Sequence, residues 1–448
     1  MSDSPENPPG RPDPRGPQDP AEGVGARTAP LAAPPLDLSA ESGATATGPR
    51  PRRRWVRWSA LGLSGLVLAA AGTGWLLYNK LDGNIRTDPD TRNELEKYEA
   101  ERPRSEPGGA ENVLLIGSDR RSGDNGGKYG EDNGTQRSDT TILLHAAADR
   151  GSATAVSIPR DLMVHIPGCK RSDGKQSVPQ FIQFNWAFEF AGAACTIRTV
   201  EKLTGIRIDH HMIVDFAGFK KMVDAVDGVD VCLERPVKDD EAHLRLPAGW
   251  QTLRGEEALG YVRARKSLGD GSDTQRMERQ QQFLAALVNK VKSNGVLLHP
   301  GRLYPLLDAA TSSLTTDEDL ASLRGLYEWV RGMRSIPTDK VQFLTVPRQE
   351  YRYNTDRDEL VQPDAEQLFR QLGKDRPVTV RPTSAPTTPA PAASAVPGRA
   401  GSTAGTSKSP GPASGPRKNS AGDATNGAPA PSATPTFRGT TAERGICR

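Results

Sequence analysis

The chain has 448 residues and a formal net charge of +3 at pH 7, so bulk charge does not mark it as a binder of polyanions. Its 45 Gly and 37 Pro crowd the two ends, and only the middle holds the apolar and aromatic content that can bury a core. One globular domain of roughly 250 residues is therefore expected, and no Cys/His zinc spacing, basic heptad region or ribonucleoprotein-type aromatic motif points to nucleic acid.

Residues 1–50 are rich in Pro, Gly, Ala, Asp and Glu and are expected to be a disordered tail, because they bury too little apolar surface to offset chain entropy. Arg50, Arg52, Arg53, Arg54 and Arg57 follow, and then an uncharged run from Ser59 to Tyr78. About 20 such residues suffice to span a bilayer, and Trp55, Trp58, Trp75 and Tyr78 stand where interfacial aromatics stand. A cleaved signal peptide would have a shorter apolar region nearer the N-terminus, and a buried soluble helix would show a polar face. Residues 55–78 are thus read as a transmembrane helix, with the arginine side, including the tail, in the cytoplasm and everything after Lys80 outside it.

Residues 81–107 read as an extracytoplasmic stalk with a short helix near Thr91–Ala100. The folded domain is placed at 110–375. Its first strand is the apolar run Asn112–Ile116, followed by strand candidates Thr140–Ala146, Thr154–Ile158, Met163–Ile166, His211–Phe216 and Val229–Leu233. Helical patterns at Thr196–Leu203 and Ala217–Ala225 lie between them, which points to an α/β fold around a sheet with parallel content. Tyr261–Lys266 is read as extended. A long helix from about Ser272 to Ser293, a helix Asp319–Gly332 and a strand Val341–Val346 complete the domain. Residues 376–448 are Pro-, Ala-, Ser- and Thr-rich and are expected to be a disordered tail.

Disulfides persist outside the cytoplasm. Cys169 and Cys195 are candidates to pair, both near the surface, although spacing alone does not decide connectivity. Cys232 reads as a core residue of an apolar strand.

Polar residues gather where strands end: Gly117-Ser118-Asp119-Arg120, Arg137-Ser138-Asp139-Thr140 and Pro159-Arg160-Asp161. Open α/β sheets bind ligands in the crevice at strand ends. A fourth group holds Arg263, Arg265, Asp273, Arg276, Arg279 and Gln280. Arg263 and Arg265 share a side if that segment is extended, and Arg276 and Gln280 share a helix face near its N-terminus. Clustered guanidiniums repel one another unless an anion sits between them, and their forks suit phosphate or pyrophosphate. The alternative is plain surface pairing with Glu256, Glu257 and Asp270. Asp119 and Asp139 offer hard oxygen ligands for Mg2+. Phosphoryl transfer rests on positioning and charge neutralisation, and Asp119 or Asp273 would take a proton from an attacking sugar hydroxyl.

With these segments the chain resembles the LytR-CpsA-Psr family of cell-wall glycopolymer ligases. The resemblance runs from Asn112 to Lys374. It rests on Asn112-Val-Leu-Leu-Ile-Gly-Ser-Asp119, Arg137-Ser-Asp-Thr140, Ser157-Ile-Pro-Arg-Asp161 and Phe184-Asn-Trp-Ala-Phe188, then on Thr204-Gly-Ile-Arg-Ile-Asp209, Leu246-Pro-Ala-Gly249, Tyr261-Val-Arg-Ala-Arg265 and Asp273-Thr-Gln-Arg-Met-Glu-Arg-Gln-Gln281. It implies a single three-layer α/β/α domain with a central mixed sheet and a hydrophobic groove for a polyprenyl tail. It further implies pyrophosphate contacts from Arg137, Arg160, Arg263, Arg265, Arg276 and Gln280, and magnesium on Asp119 and Asp139. Asp119, Asp139, Arg263, Arg265 and Asp273 would be the catalytic set.

The implied reaction transfers a glycopolymer, of the wall teichoic acid kind, from a polyprenyl-pyrophosphate carrier to peptidoglycan through a phosphodiester bond. Two departures stand out: Gln183 where many members carry lysine, and Leu162 where Thr or Ser is common. A membrane-anchored lipid-binding regulator of the transcriptional attenuator type and a polyprenyl-pyrophosphate hydrolase remain as alternative readings. The Asp119/Asp139 pair favours catalysis over the first, and only the acceptor separates the second.

Overall fold

The computed structural model describes residues 52–105, 108–118, 138–171, 173–264, 273–293, 300–381 and 434–443. The chain divides into two compact units, Met1–Val67 and Leu68–Arg448. The described part of the first unit is the start of a long helix, α1 (Arg52–Asn84), whose tryptophans Trp55 and Trp58 are exposed. Trp55–Asn84 is long and apolar enough to cross a membrane, and none of its apolar window is buried.

In the second unit the expected stalk is folded onto the domain. A two-residue strand, β1 (Arg86–Thr87), precedes α2 (Pro89–Lys97). Asp88 caps α2 by accepting from the Thr91 N–H at 3.2 Å, and Pro89 starts it where no N–H is needed. Leu81, Ile85 and Leu95 are buried, and these scattered apolar side chains are what dock a segment that otherwise reads as polar.

The central strands come next: β2 (Glu111–Ser118), β3 (Ser138–Ala146) and β4 (Ala153–Ile158). A hairpin of β5 (Met163–Ile166) and β6 (Gln180–Gln183) leads into α3 (Trp186–Thr204). Gly192 (φ 62°) breaks α3 into two pieces, so only its second half carries a clean helical pattern. Then follow β7 (His210–Asp215), α4 (Phe216–Ala225) and four short strands, β8 (Val229–Leu233), β9 (Val237–Asp239), β10 (Leu244–Leu246) and β11 (Gly249–Leu253). Three helices run next, α5 (Gly255–Arg263), α6 (Asp273–Ser293) and α7 (Pro300–Ser313). After them come β12 (Leu314–Thr316), α8 (Leu323–Met333) and β13 (Val341–Thr345). A hairpin of β14 (Arg348–Tyr351) and β15 (Asn354–Leu360), helix α9 (Asp364–Gly373), β16 (Thr379–Arg381) and β17 (Thr436–Thr441) finish the chain.

The large sheet has the order β1-β12-β7-β2-β3-β4-β13-β17-β16. It is mixed: β2 is parallel to β7 and antiparallel to β3, and β4 is parallel to β13. Strand alternation sends Leu114, Ile116, Leu143 and Val156 to a core shared with α3 and α9. The intervening Leu115, Ile142 and Leu144 face α6, with Ala285 and Leu284 against them. The result is the three-layer α/β/α arrangement.

The tail expected to be disordered throughout carries β16 and β17. Leu344 pairs with Gly439, and Phe437 is buried in the α3-side core. The physical reason is local. Thr436-Phe-Arg-Gly-Thr-Thr441 is a β-favouring island with an apolar anchor. A Cβ on Gly439 would run into the Phe343 carbonyl, so the close approach of β17 to β13 needs glycine.

Cys169 and Cys195 are disulfide-bonded with Cα atoms 5.7 Å apart. Both are buried in the α3-side core and not at the surface. Cys232, read as a free core cysteine, is also disulfide-bonded.

Candidate functional site

Gly117 stands opposite Thr140 and Ser118 opposite Ser138, while Ile158 at the end of β4 pairs with Thr141. Ser118 also pairs with Asp215, the last residue of β7. The end of β2, the start of β3 and the ends of β4 and β7 therefore share one edge of the sheet. The described residues of the polar strand-end segments converge there.

Beside this edge lies a cavity of about 500 Å³ between the sheet and α4, α5 and α6. Its apolar wall includes Leu115 and Met212 from the strands, Phe219 from α4, and Phe283, Leu284 and Leu287 from α6. Asp139, Arg263, Arg276 and Gln280 line it too. Along α6, Arg276 and Leu287 are about 16 Å apart. The cavity is thus long; Asp139, Arg263, Arg276 and Gln280 line it near the strand ends, and Asp239 and Glu241 line it as well.

Arg276 and Gln280 face the cavity together, as their spacing predicts, with Arg276 only 4% exposed. Arg276 lies in the first turns of α6, where the helix dipole favours an anion. The Gln280 amide donates to the Val262 carbonyl at 3.0 Å. Arg279 points elsewhere, donating to the Ala264 carbonyl just past the end of α5, where helix carbonyls lack partners.

Arg263 is the last residue of helix α5, not part of an extended segment. Glu256 and Glu257 suit the first turn of that helix, and Ala258, Leu259 and Tyr261 bury its inner face. Packing overrides the β preference of Tyr-Val, so the strand argument for joining Arg263 to Arg265 falls. The Arg263 guanidinium instead lies 4.8 Å from the Phe216 ring centroid, a cation–π contact.

Arg160 stands behind the cavity wall. Its Nη1 donates to Asp139 Oδ1 at 3.1 Å and its Nε to Asp161 Oδ2 at 3.1 Å. Asp161 also accepts from Arg357 at 3.3 Å. Arg357, on β15, is a cation that sequence reading misses, since it belongs to a charged hairpin strand without a motif. Gln183 occupies the position where many members carry lysine. Its Nε2 reaches Asp161 at 3.5 Å and its Oε1 accepts from Trp186 at 3.2 Å. Leu162 is fully buried in the α3-side core. Asp119, Arg137, Arg265 and the Asp273 side chain lie outside the described residues.

At the opposite end of the sheet, histidines pair with carboxylates. His210 Nδ1 lies 3.1 Å from Asp317, His211 Nε2 lies 3.3 Å from Asp88, and His145 Nε2 lies 3.0 Å from Asp375. Burial pulls His210 down, but its hydrogen bond to Asp317 and the charges of Asp317, Glu111 and Asp209 outweigh this and raise its pKa.

A largely apolar cavity of this size, lined also by the Arg263 and Arg276 guanidiniums, the Gln280 amide and the Asp139, Asp215, Asp239 and Glu241 carboxylates, is chemically suited to an amphiphile whose anionic head meets the arginines. Fold and site together define a three-layer α/β/α protein with an apolar cavity that also carries arginines and carboxylates. The LytR_cpsA_psr family pattern matches residues 79–374, and the chain belongs to this family.

Among its relatives, cell wall biosynthesis protein LcpA of Corynebacterium glutamicum is 33% identical over 310 residues, covering 64% of this chain and 58% of that one. The polyisoprenyl-teichoic acid–peptidoglycan teichoic acid transferase TagT of Bacillus subtilis is 29% identical over 294 residues, or 64% of this chain and 85% of that one. A solved LytR-Csp2A-Psr enzyme from Actinomyces oris is 22% identical with a TM-score of 0.47, covering 61% of this chain and 93% of that one. The match spans little more than half the length of the LcpA relative.

Proposed function

We propose that this chain is a membrane-anchored phosphotransferase that moves a glycopolymer from a polyprenyl-pyrophosphate carrier onto peptidoglycan, outside the cytoplasm. The observation that carries the reading is the long, largely apolar cavity that Asp139, Arg263, Arg276 and Gln280 also line. An isoprenoid tail fills the apolar part, and the guanidiniums hold the pyrophosphate by charge-assisted hydrogen bonds. Arg160 orients the Asp139 carboxylate through their ion pair. α1 supplies the anchor, and the names of relatives such as TagT supply the class of donor and acceptor.

In this reading an acceptor hydroxyl attacks the phosphorus that carries the glycan. A new O–P bond forms, the bridging P–O bond breaks, and polyprenyl phosphate leaves with the electron pair. The hydroxyl proton passes to a carboxylate, Asp119 or Asp273 by sequence. Arg263 and Arg276 offset the charge that grows on the leaving phosphate. Asp139 at the cavity wall has the hard oxygens that suit Mg2+, and with Asp119 it would hold the ion, which supplies further charge neutralisation when bound.

The test uses the full chain in detergent with Mg2+, a synthetic polyprenyl-pyrophosphate glycan and peptidoglycan. Labelled acceptor together with released lipid phosphate, both lost on adding a chelator, is the expected result. Lipid turnover without acceptor labelling would make the protein a hydrolase. Binding with no turnover would make it a lipid-sensing module.

A further inference from the structure

Helix α8 carries a surface that the site does not use. At about 100° per residue, Val330, Leu323, Arg334, Tyr327, Arg331 and Arg324 fall within roughly 120° of arc on one side. Tyr327 is 62% and Val330 46% exposed, and all three arginines are exposed. On the other side Leu326 and Trp329 pack against Val113, Met212, Leu314 and Leu320. The helix is therefore held by its inner face while presenting a stripe of one aromatic, aliphatic side chains and three cations. Glu328, the one acidic residue in the helix, sits beside the stripe and bonds Arg324 at 2.9 Å.

The location of the stripe says what covers it. The last turns of α1 are fastened to this part of the domain. Asp82 Oδ1 accepts from the Leu323 N–H, the first of α8, at 2.8 Å. Lys80 Nζ bonds Asp308 at 3.1 Å and Tyr304 Oη at 3.2 Å, and Asn84 bonds Asp308 at 3.1 Å, all on α7. Asp82 lies four residues beyond Tyr78, the end of the uncharged run, which is about 6 Å along the helix axis. The headgroup layer on each side of a bilayer is also about 6 Å thick. The start of α8 thus falls at headgroup height whenever α1 spans a bilayer.

We infer that the Arg324–Tyr327–Val330–Arg331–Arg334 face of α8 docks on the membrane surface, its arginines against anionic phospholipid headgroups and Tyr327 and Val330 in the interfacial layer. Basic amphipathic helices with an aromatic and aliphatic face bind bilayer interfaces in this way. The inference rests on the reading of α1 as the membrane anchor. A single spanning helix leaves a domain free to tilt, whereas a second attachment through α8 fixes its tilt and holds the cavity in one orientation to the lipid that delivers its donor.

The test labels the full chain with an environment-sensitive fluorophore at one introduced cysteine: Val330→Cys, Leu68→Cys within α1, or Glu366→Cys at an exposed position of α9. Each protein is reconstituted into phosphatidylcholine vesicles containing a minority of phosphatidylglycerol, with quenchers attached to the lipid at shallow or deep positions. The expected result is deep quenching at 68, and shallow quenching at 330 at least about twofold above that at 366. Combining Arg324→Glu, Arg331→Glu and Arg334→Glu should return position 330 to the level of 366, and unchanged quenching there would overturn the headgroup contact. Quenching at 68 with 330 no different from 366 would overturn the docking while leaving the anchor intact. An unquenched 68 would remove the anchor, and the inference with it.

Discussion

The two faces of the central sheet are made from the same strands yet are put to different use. On the α3 side, Leu114 and Leu143 are 0% exposed and belong to a filled core that includes α9 and Phe437. On the α6 side, Leu115 and Ile142 are neighbours of the cavity. Adjacent residues of one strand thus serve packing and a binding space in turn. Apolar alternation shows that both faces are covered, but not whether the cover is filled, because filling depends on how far the opposing helices stand away.

Substitutions should sort by face. The largest effect is expected at the polar end of the open face: Arg263→Ala should slow transfer about a thousandfold, or ~4 kcal/mol of transition-state stabilisation, with the melting temperature unchanged. Steady-state rates set beside a thermal melt check this, and a loss below about tenfold would detach the guanidinium from the reacting phosphate. On the filled face, Leu114→Ala should cost about 3 kcal/mol in denaturant unfolding and leave turnover per folded molecule alone.

Replacing Cys169 and Cys195 together by Ala, also on the filled side, should cost about 3 kcal/mol, measured the same way with and without reductant. Leu284→Trp reverses the pattern. Filling the open face should weaken binding of the lipid donor about tenfold while stability stays within about 1 kcal/mol, as titration calorimetry and melting can show.

The smallest effect lies at the far end of the sheet. The folded-state pKa of His210 is raised, so the stability it contributes is complete below its unfolded value near 6.5 and is lost as pH rises through the folded value. His210→Gln should therefore destabilise by under about 1 kcal/mol in mildly acidic buffer, with the difference vanishing in alkaline buffer. A constant difference across that range would mean the contact is steric and not ionic.

Much of this plan is legible in the chain. Asn112–Ile116, Thr154–Ile158 and Met163–Ile166 read as strands because buried strands leave dense apolar runs, and each lies within an observed one. Helical spacing alone is enough to put Arg276 and Gln280 together. The failures have a shared cause. α5 has a strand-like Tyr-Val pair whose helical state is decided by what it packs on, and the first half of α3 is hidden by the break at Gly192. Short hairpin strands such as β14 and β15 are polar and are held by pairing, which no single segment reveals. Asp139 and Arg160 can be nominated by position, but their ion pair, and the part of Arg357 behind it, depend on strands distant in sequence.

β17 has a consequence for how this chain can vary. Arg381 and Arg438 are paired neighbours in parallel strands, which fixes both ends of the Pro- and Ala-rich stretch between them. Changes of length within that stretch must keep that pairing. Trimming the last dozen or so residues is a different matter. It withdraws Phe437 from the core and bares the edge of β13, which makes the far end of a low-complexity tail one of its least dispensable parts.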